Sequence, residues 1–144
     1  MNSPLNTLEL RRGGTYHGRY EVFDIWVDGE RLLDRLAAFE ARYTDRIAGA
    51  YVPHLPVSST RKNLLPPSDG FVPYACDCGE WQCWFITCNI SADYGFVRWH
   101  GWSNPYRGDK SKADQGLYWS YRDFPDLNFD QEAYKATIEA ALKA

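Results

Sequence analysis

Three thiols fall within eight residues of this chain, in the segment Tyr74-Ala75-Cys76-Asp77-Cys78-Gly79-Glu80-Trp81-Gln82-Cys83-Trp84, and Cys88 follows five residues on. Thiols so close can do three kinds of chemistry. As thiolates they can hold zinc: Cys-x-Cys-Gly resembles a knuckle in which backbone amides stabilise the first thiolate and glycine permits the turn. The set would be Cys76, Cys78 and Cys83, and His100 is the residue that could be recruited as a fourth ligand. As a redox pair they can form a reversible disulfide. As small, soft side chains they can simply fill a tight hairpin entrance. Spacing alone does not choose among these, because Cys83 and Cys88 fall on opposite faces of a regular strand.

Only three histidines, His17, His54 and His100, are available as general acid or base. None sits in a recognisable motif. The chain lacks a Gly-x-Ser-x-Gly elbow, a phosphate-cradling glycine loop, His-Glu-x-x-His, and the His-x-Glu with Pro-Cys-x-x-Cys of zinc deaminases. On residue types, a small Cys/His enzyme would use Cys78 activated by His100, with Asp24 or Glu80 orienting the base. The run Arg98-Trp99-His100-Gly101-Trp102-Ser103-Asn104-Pro105-Tyr106-Arg107 interleaves cations and rings, as binders of single-stranded nucleic acid do. A net charge of −3 opposes that reading.

These residues must be positioned by a single domain of 144 residues, long enough to bury a core without a metal or disulfide. The composition, 44% apolar and 24% charged, is that of a soluble globular protein. No lead resembles a secretory signal and no run approaches a membrane span, so the expected location is cytoplasmic, with no membrane partner and reduced cysteines. The outlying property is aromatic content. Six Trp, ten Tyr and seven Phe make up 16% of the chain, more than a small core readily absorbs, so some rings are expected on a contact surface.

The expected fold is α+β. Leu8 and Leu10 alternate with polar neighbours, Gly13-Gly14 reads as a turn, and Tyr20 to Val27 reads as the partner strand. From Glu30, Leu32, Leu36, Phe39, Tyr43 and Ile47 recur at helical spacing, giving a helix of about four turns that stops at Gly49. Five prolines between residues 52 and 73 predict a helix-free loop. Trp84 to Ile90 and Gly95 to Trp102 form a second hairpin, joined through Ser91-Ala92-Asp93-Tyr94. Trp84, Ile86, Cys88, Ile90, Val97 and Trp99 share one face; Phe85, Thr87, Asn89, Phe96, Arg98, His100 and Trp102 share the other. A polar loop covers Ser103 to Gly116, a short strand Leu117 to Tyr121, and a C-terminal helix is capped by Asp130 and stapled by Phe129 on Tyr134.

The stretch Cys76 to Trp84, followed by a strand and then Val97-Arg98-Trp99, resembles a motif of small bacterial proteins of unassigned function. Their pattern is Cys, one or two residues, Cys-Gly, an acidic residue, two residues and a third Cys. The segments Tyr20 to Leu36 and Phe129-Asp130 are also similar, and Gln82 stands where that pattern commonly has Gly. The resemblance implies bacterial or phage origin and carries over no catalytic residue. Taken together, the residues point to a non-catalytic module that binds another protein, in the manner of an immunity protein, antitoxin or anti-defence inhibitor. Its expected contact patch is Glu80, Trp81, Arg98, His100 and Trp102. The alternatives are a zinc-binding domain or small Cys/His enzyme, and a single-stranded nucleic-acid binder.

Overall fold

Strand β1 (Leu8–Thr15) pairs antiparallel with β2 (Glu21–Val27), in register from Leu8 opposite Val27 to Arg12 opposite Phe23. The structure, a computed structural model, describes residues 5–43, 50–80 and 84–144. The connection is not at Gly13-Gly14. Those glycines lie inside β1, at the bulge between Arg12 and Thr15, and the chain turns at Tyr16 to Tyr20, with His17 and Gly18 at positive φ. A bulge adds a residue without reversing the chain, and Gly14 at φ 84° takes the strain. Phe23, Ile25 and Val27 face the core, while Trp26 lies on the far face beneath the Arg11 guanidinium, 3.6 Å from its ring centre.

A short strand, β3 (Glu30–Arg31), leads into helix α1 (Leu32–Glu40), which buries Leu32, Leu33, Leu36, Phe39 and Glu40. The helix is shorter than its hydrophobic period suggested; Ile47 and the expected stop at Gly49 lie outside the described residues. The 52–73 segment is not helix-free. It contains β4 (Tyr51–Pro53), β5 (Leu55–Pro56), a 3-10 turn (Val57–Ser59), α2 (Thr60–Leu64) and the start of β6 (Ser68–Cys76). The prolines leave residues 57–65 free of rings, enough for one short helix, and Pro56 precedes its first turn, where a missing N–H costs nothing. Thr60 ties that turn together by donating to the Pro56 and Val57 carbonyls.

Five antiparallel strands form the larger sheet, in the order β4-β6-β7-β8-β9, with β7 Phe85–Asp93, β8 Phe96–Ser103 and β9 Leu127–Asp130. The smaller sheet joins β1, β2 and β3, with β5 paired to β2. The β7–β8 hairpin turns through Tyr94-Gly95, both at positive φ, as a two-residue hairpin loop requires. Near its open end the register shifts. Asn89 faces His100 but Thr87 faces Ser103, so the single residue Cys88 stands opposite Gly101 and Trp102. Gly101 at φ 66° is the extra residue of this bulge.

The bulge reverses the facing of Trp102. It is 7% exposed and packs on Phe124, with ring centres 5.2 Å apart, instead of sharing a surface with Arg98 and His100. Residues Leu117 to Tyr121 form no strand; the irregular stretch 117–124 delivers Trp119, Tyr121 and Phe124 to the core. The C-terminal helix α3 (Gln131–Lys143) begins as expected, the Asp130 carboxylate accepting from the Ala133 N–H at 2.9 Å and Phe129 lying 5.3 Å from Tyr134. Tyr134 then donates to the Leu64 carbonyl and accepts from the Trp99 indole, locking α3 to α2 and β8.

Substituting Gly101→Ala should cost about 1–2 kcal/mol, because an L side chain resists the left-handed region and its Cβ would stand 2.9 Å from Asn89 Nδ2. A lower urea midpoint at constant m-value is the expected result.

Candidate functional site

The residues of the expected contact patch do not form one surface. Arg98 is exposed on the outer face of the larger sheet, held by Asp126 at 2.5 Å. His100 lies on the same face, its Nε2 3.2 Å from Ser91 Oγ. Glu80 is exposed in the cysteine turn, Trp102 is interior, and Trp81 lies outside the described residues. The tryptophan surplus is likewise interior: Trp84, Trp99, Trp102 and Trp119 are all buried. Among the described residues, the large rings left exposed are Tyr43, Tyr94, Phe96 and Tyr106. Within the Arg98 to Arg107 run, Trp99 and Trp102 are therefore not presented for stacking, and the Arg107 guanidinium lies over the Trp84 and Trp119 rings, at 4.4 and 5.2 Å.

At the end of β6 the chain reverses through Asp77 to Gly79, with Gly79 at φ 96°. Here Cys76 Sγ and Cys78 Sγ lie 2.7 Å apart, and the Cys78 N–H donates to Cys76 Sγ at 3.2 Å. Cys76 is buried and Cys78 exposed. The β1–β2 tip clasps this turn: Tyr16 donates its hydroxyl to the Cys76 carbonyl at 2.9 Å, Arg19 donates to the Gly79 carbonyl at 2.8 Å, and the His17 ring stands over Gly79. Behind it, Tyr20 Oη is 2.9 Å from His54 Nε2, and burial holds the His54 imidazole below its usual range. Sequence spacing did not bring Tyr16, His17 and Arg19 to this turn, because only the pairing of distant strands does so. The Cys78–His100–Asp24 constellation is not assembled. His100 is engaged with Ser91, and Asp24 accepts from Arg31 and the buried Tyr74 hydroxyl. Among the described residues no group of three metal-ligating side chains occurs; the expected ligand Cys83 lies outside them.

A second constellation, absent from the sequence expectations, occupies the interior. Glu40, the last residue of α1, is fully buried, and its Oε2 accepts hydroxyl protons from Tyr51 at 2.5 Å and from Tyr121. Asn104 donates to Tyr51 Oη, and the Trp119 indole donates to Tyr121 Oη. Burial and the adjacent carboxylate push both phenols far above their ordinary range. Beside this network a cleft of about 190 Å³ is lined by Trp102, Ser103, Asn104, Trp119, Ser120 and Tyr121, among others. The only sequence signal was an acidic residue on the apolar face of a helix, one position after Phe39.

Comparison with protein-family models, with curated proteins and with solved structures yields no match.

Two outcomes are expected. Glu40→Ala strands two buried hydroxyls and should cost about 2–6 kcal/mol, at about 1–3 per group, read as a loss of urea stability. The pH dependence follows from the phenols. Tyr16 is pushed up to about 12 by burial, and Tyr51, Tyr74, Tyr121 and Tyr134 are also raised. Unfolded tyrosines ionise near pH 10, so above that pH the unfolded chain holds fewer protons than the folded one. This contribution is therefore whole below pH 10 and shrinks as pH rises toward 12. Urea midpoints should fall across that window, with tyrosinate absorbance rising sharply on unfolding.

Proposed function

We propose that this chain is a non-catalytic protein-binding module of the stoichiometric-inhibitor type, such as an immunity protein, antitoxin or anti-defence factor from a bacterial or phage genome. It would engage its partner through the outer face of the larger sheet. The observation that carries this reading is the asymmetry of its β7–β8 half, since at the β4–β6 end the outer face is covered, Val52, Val72, Ala75 and Phe85 packing with Tyr16, Tyr20 and Val22. The inner face buries Ile86, Cys88, Ile90, Val97 and Trp99, and the buried apolar residues of α1, α2 and α3 all join the same core. The outer face presents Thr87, Asn89, Arg98 and His100 partly or fully to solvent, with Tyr94 (92% exposed) and Phe96 (44%) at its tip. Accessible rings beside an arginine supply interface energy when a partner covers them. The net charge of −3 favours a partner of opposite sign. This surface keeps Arg98 and His100 of the expected patch and replaces Trp102 with Tyr94 and Phe96.

A photo-crosslinking residue placed at Asn89 or His100 in the native host should capture one discrete protein, while the same residue at Lys135, exposed on α3, should not. With that protein purified, the double substitution Tyr94→Ala and Phe96→Ala should weaken binding by about 2 kcal/mol or more, roughly 30-fold. Capture from Lys135 alone, or unchanged affinity in the double variant, would place the contact elsewhere.

A further inference from the structure

Independently of any partner, we infer that Cys76 and Cys78 are a redox-active dithiol that closes to an intramolecular disulfide by exchange with a small-molecule disulfide. Four observations converge on the pair. The sulfurs approach to 2.7 Å, where the covalent bond is about 2.05 Å, so closure needs little movement. The Cys78 N–H points at Cys76 Sγ and stabilises negative charge there. The Arg19 guanidinium is held at the Gly79 carbonyl, one residue from Cys78, and a nearby cation favours thiolate. Finally, exposure divides the labour: Cys78 is open to solvent and Cys76 is buried behind it. Cys88 is the built-in contrast, buried on the inner face of β7 with its thiol pushed far up by desolvation.

The step balances with a disulfide RSSR as oxidant. The Cys78 thiolate attacks one sulfur, breaking the RS–SR bond and releasing the first thiol RSH after protonation. Cys76 then attacks the mixed disulfide at Cys78 Sγ, forming the Cys76–Cys78 bond and releasing the second RSH. The protein gives up two protons and two electrons, and RSSR takes them up to leave as two thiols.

The test uses the full chain with oxidised and reduced glutathione at graded ratios, EDTA present, followed by alkylation and intact mass. Oxidation should remove about 2 Da, the two hydrogens of one disulfide, and leave the alkylated chain two alkyl groups short of the reduced one. Cleavage after Glu80 separates the pair from Cys83 and Cys88, and the loss should map to the peptide holding Cys76 and Cys78. It should persist in Cys83→Ser and vanish in Cys78→Ser, a substitution at an exposed position whose folding circular dichroism would verify. Cys88 should resist alkylation until the protein is unfolded. The inference is overturned if the 2 Da loss vanishes in Cys83→Ser, if both thiols stay reduced in excess oxidised glutathione, or if one zinc per chain co-purifies and shields them from alkylation.

Discussion

Along β7 and β8 the larger sheet carries its bulk on one side, and much of the fold follows from having to cover that side; at its β4–β6 end the other face is buried too, Ala75 packing with Tyr16 and Val22. Ile86, Cys88 and Ile90 from β7, with Trp84 just before it, and Val97 and Trp99 from β8 face inward by strand parity, and Trp102 joins them because Gly101 inserts one extra residue. Burying rings of this size is worth about 1.5–3 kcal/mol each, so the smaller sheet, α1, α3 and the irregular 117–124 segment all contribute to the cover. Rings meet edge to face around Trp99, whose centre lies 5.5 Å from Phe129, 5.6 Å from Phe71 and 6.5 Å from Tyr134. On β7 and β8 the outer face beyond Phe85 carries polar and partly exposed side chains and is open for contact, whereas Val52, Val72, Ala75 and Phe85 at the other end pack with Tyr16, Tyr20 and Val22.

An interior so rich in rings brings hydroxyls and indole N–H groups with it, and these need partners. Glu40 supplies the acceptor, joining the end of α1 to β4 through Tyr51 and to the 117–124 segment through Tyr121, with Asn104 closing the network from the end of β8. One carboxylate thereby fixes elements that no regular hydrogen-bond ladder connects. The Trp84 and Trp102 indole N–H groups and Arg107 Nε are buried beside this network with no acceptor among the described residues.

Much of this was legible in the residues. The Phe85–Asp93 and Phe96–Ser103 hairpin, the inward row from Ile86 to Trp99, and the Asp130 cap with its Phe129–Tyr134 staple follow from period-two alternation and from cap chemistry, both local properties. Two of the errors share a cause. At Gly13-Gly14 and at Gly101 a glycine read as a turn or an ordinary strand position is a bulge, and only the register of the partner strand distinguishes these. Pro56 and Pro66 bracket α2 without excluding it, because proline forbids a helix interior and tolerates its first turn. The surplus of rings was read as surface because composition counts side chains and not the sides of a sheet. The thiols were visible as a cluster, but the Tyr16, Arg19 and His17 clasp depends on pairing across about sixty residues, which no spacing rule reaches.

The most direct test of the one-sided sheet is solvent access, measured residue by residue on the isolated protein with a soluble paramagnetic probe in an NMR titration. The account expects strong relaxation of the side-chain signals of Thr87, Asn89, Phe96 and His100, and protection of Ile86, Val97, Trp99 and the Trp102 indole. Equal protection of both sets, or a Trp102 indole as accessible as His100, would contradict it.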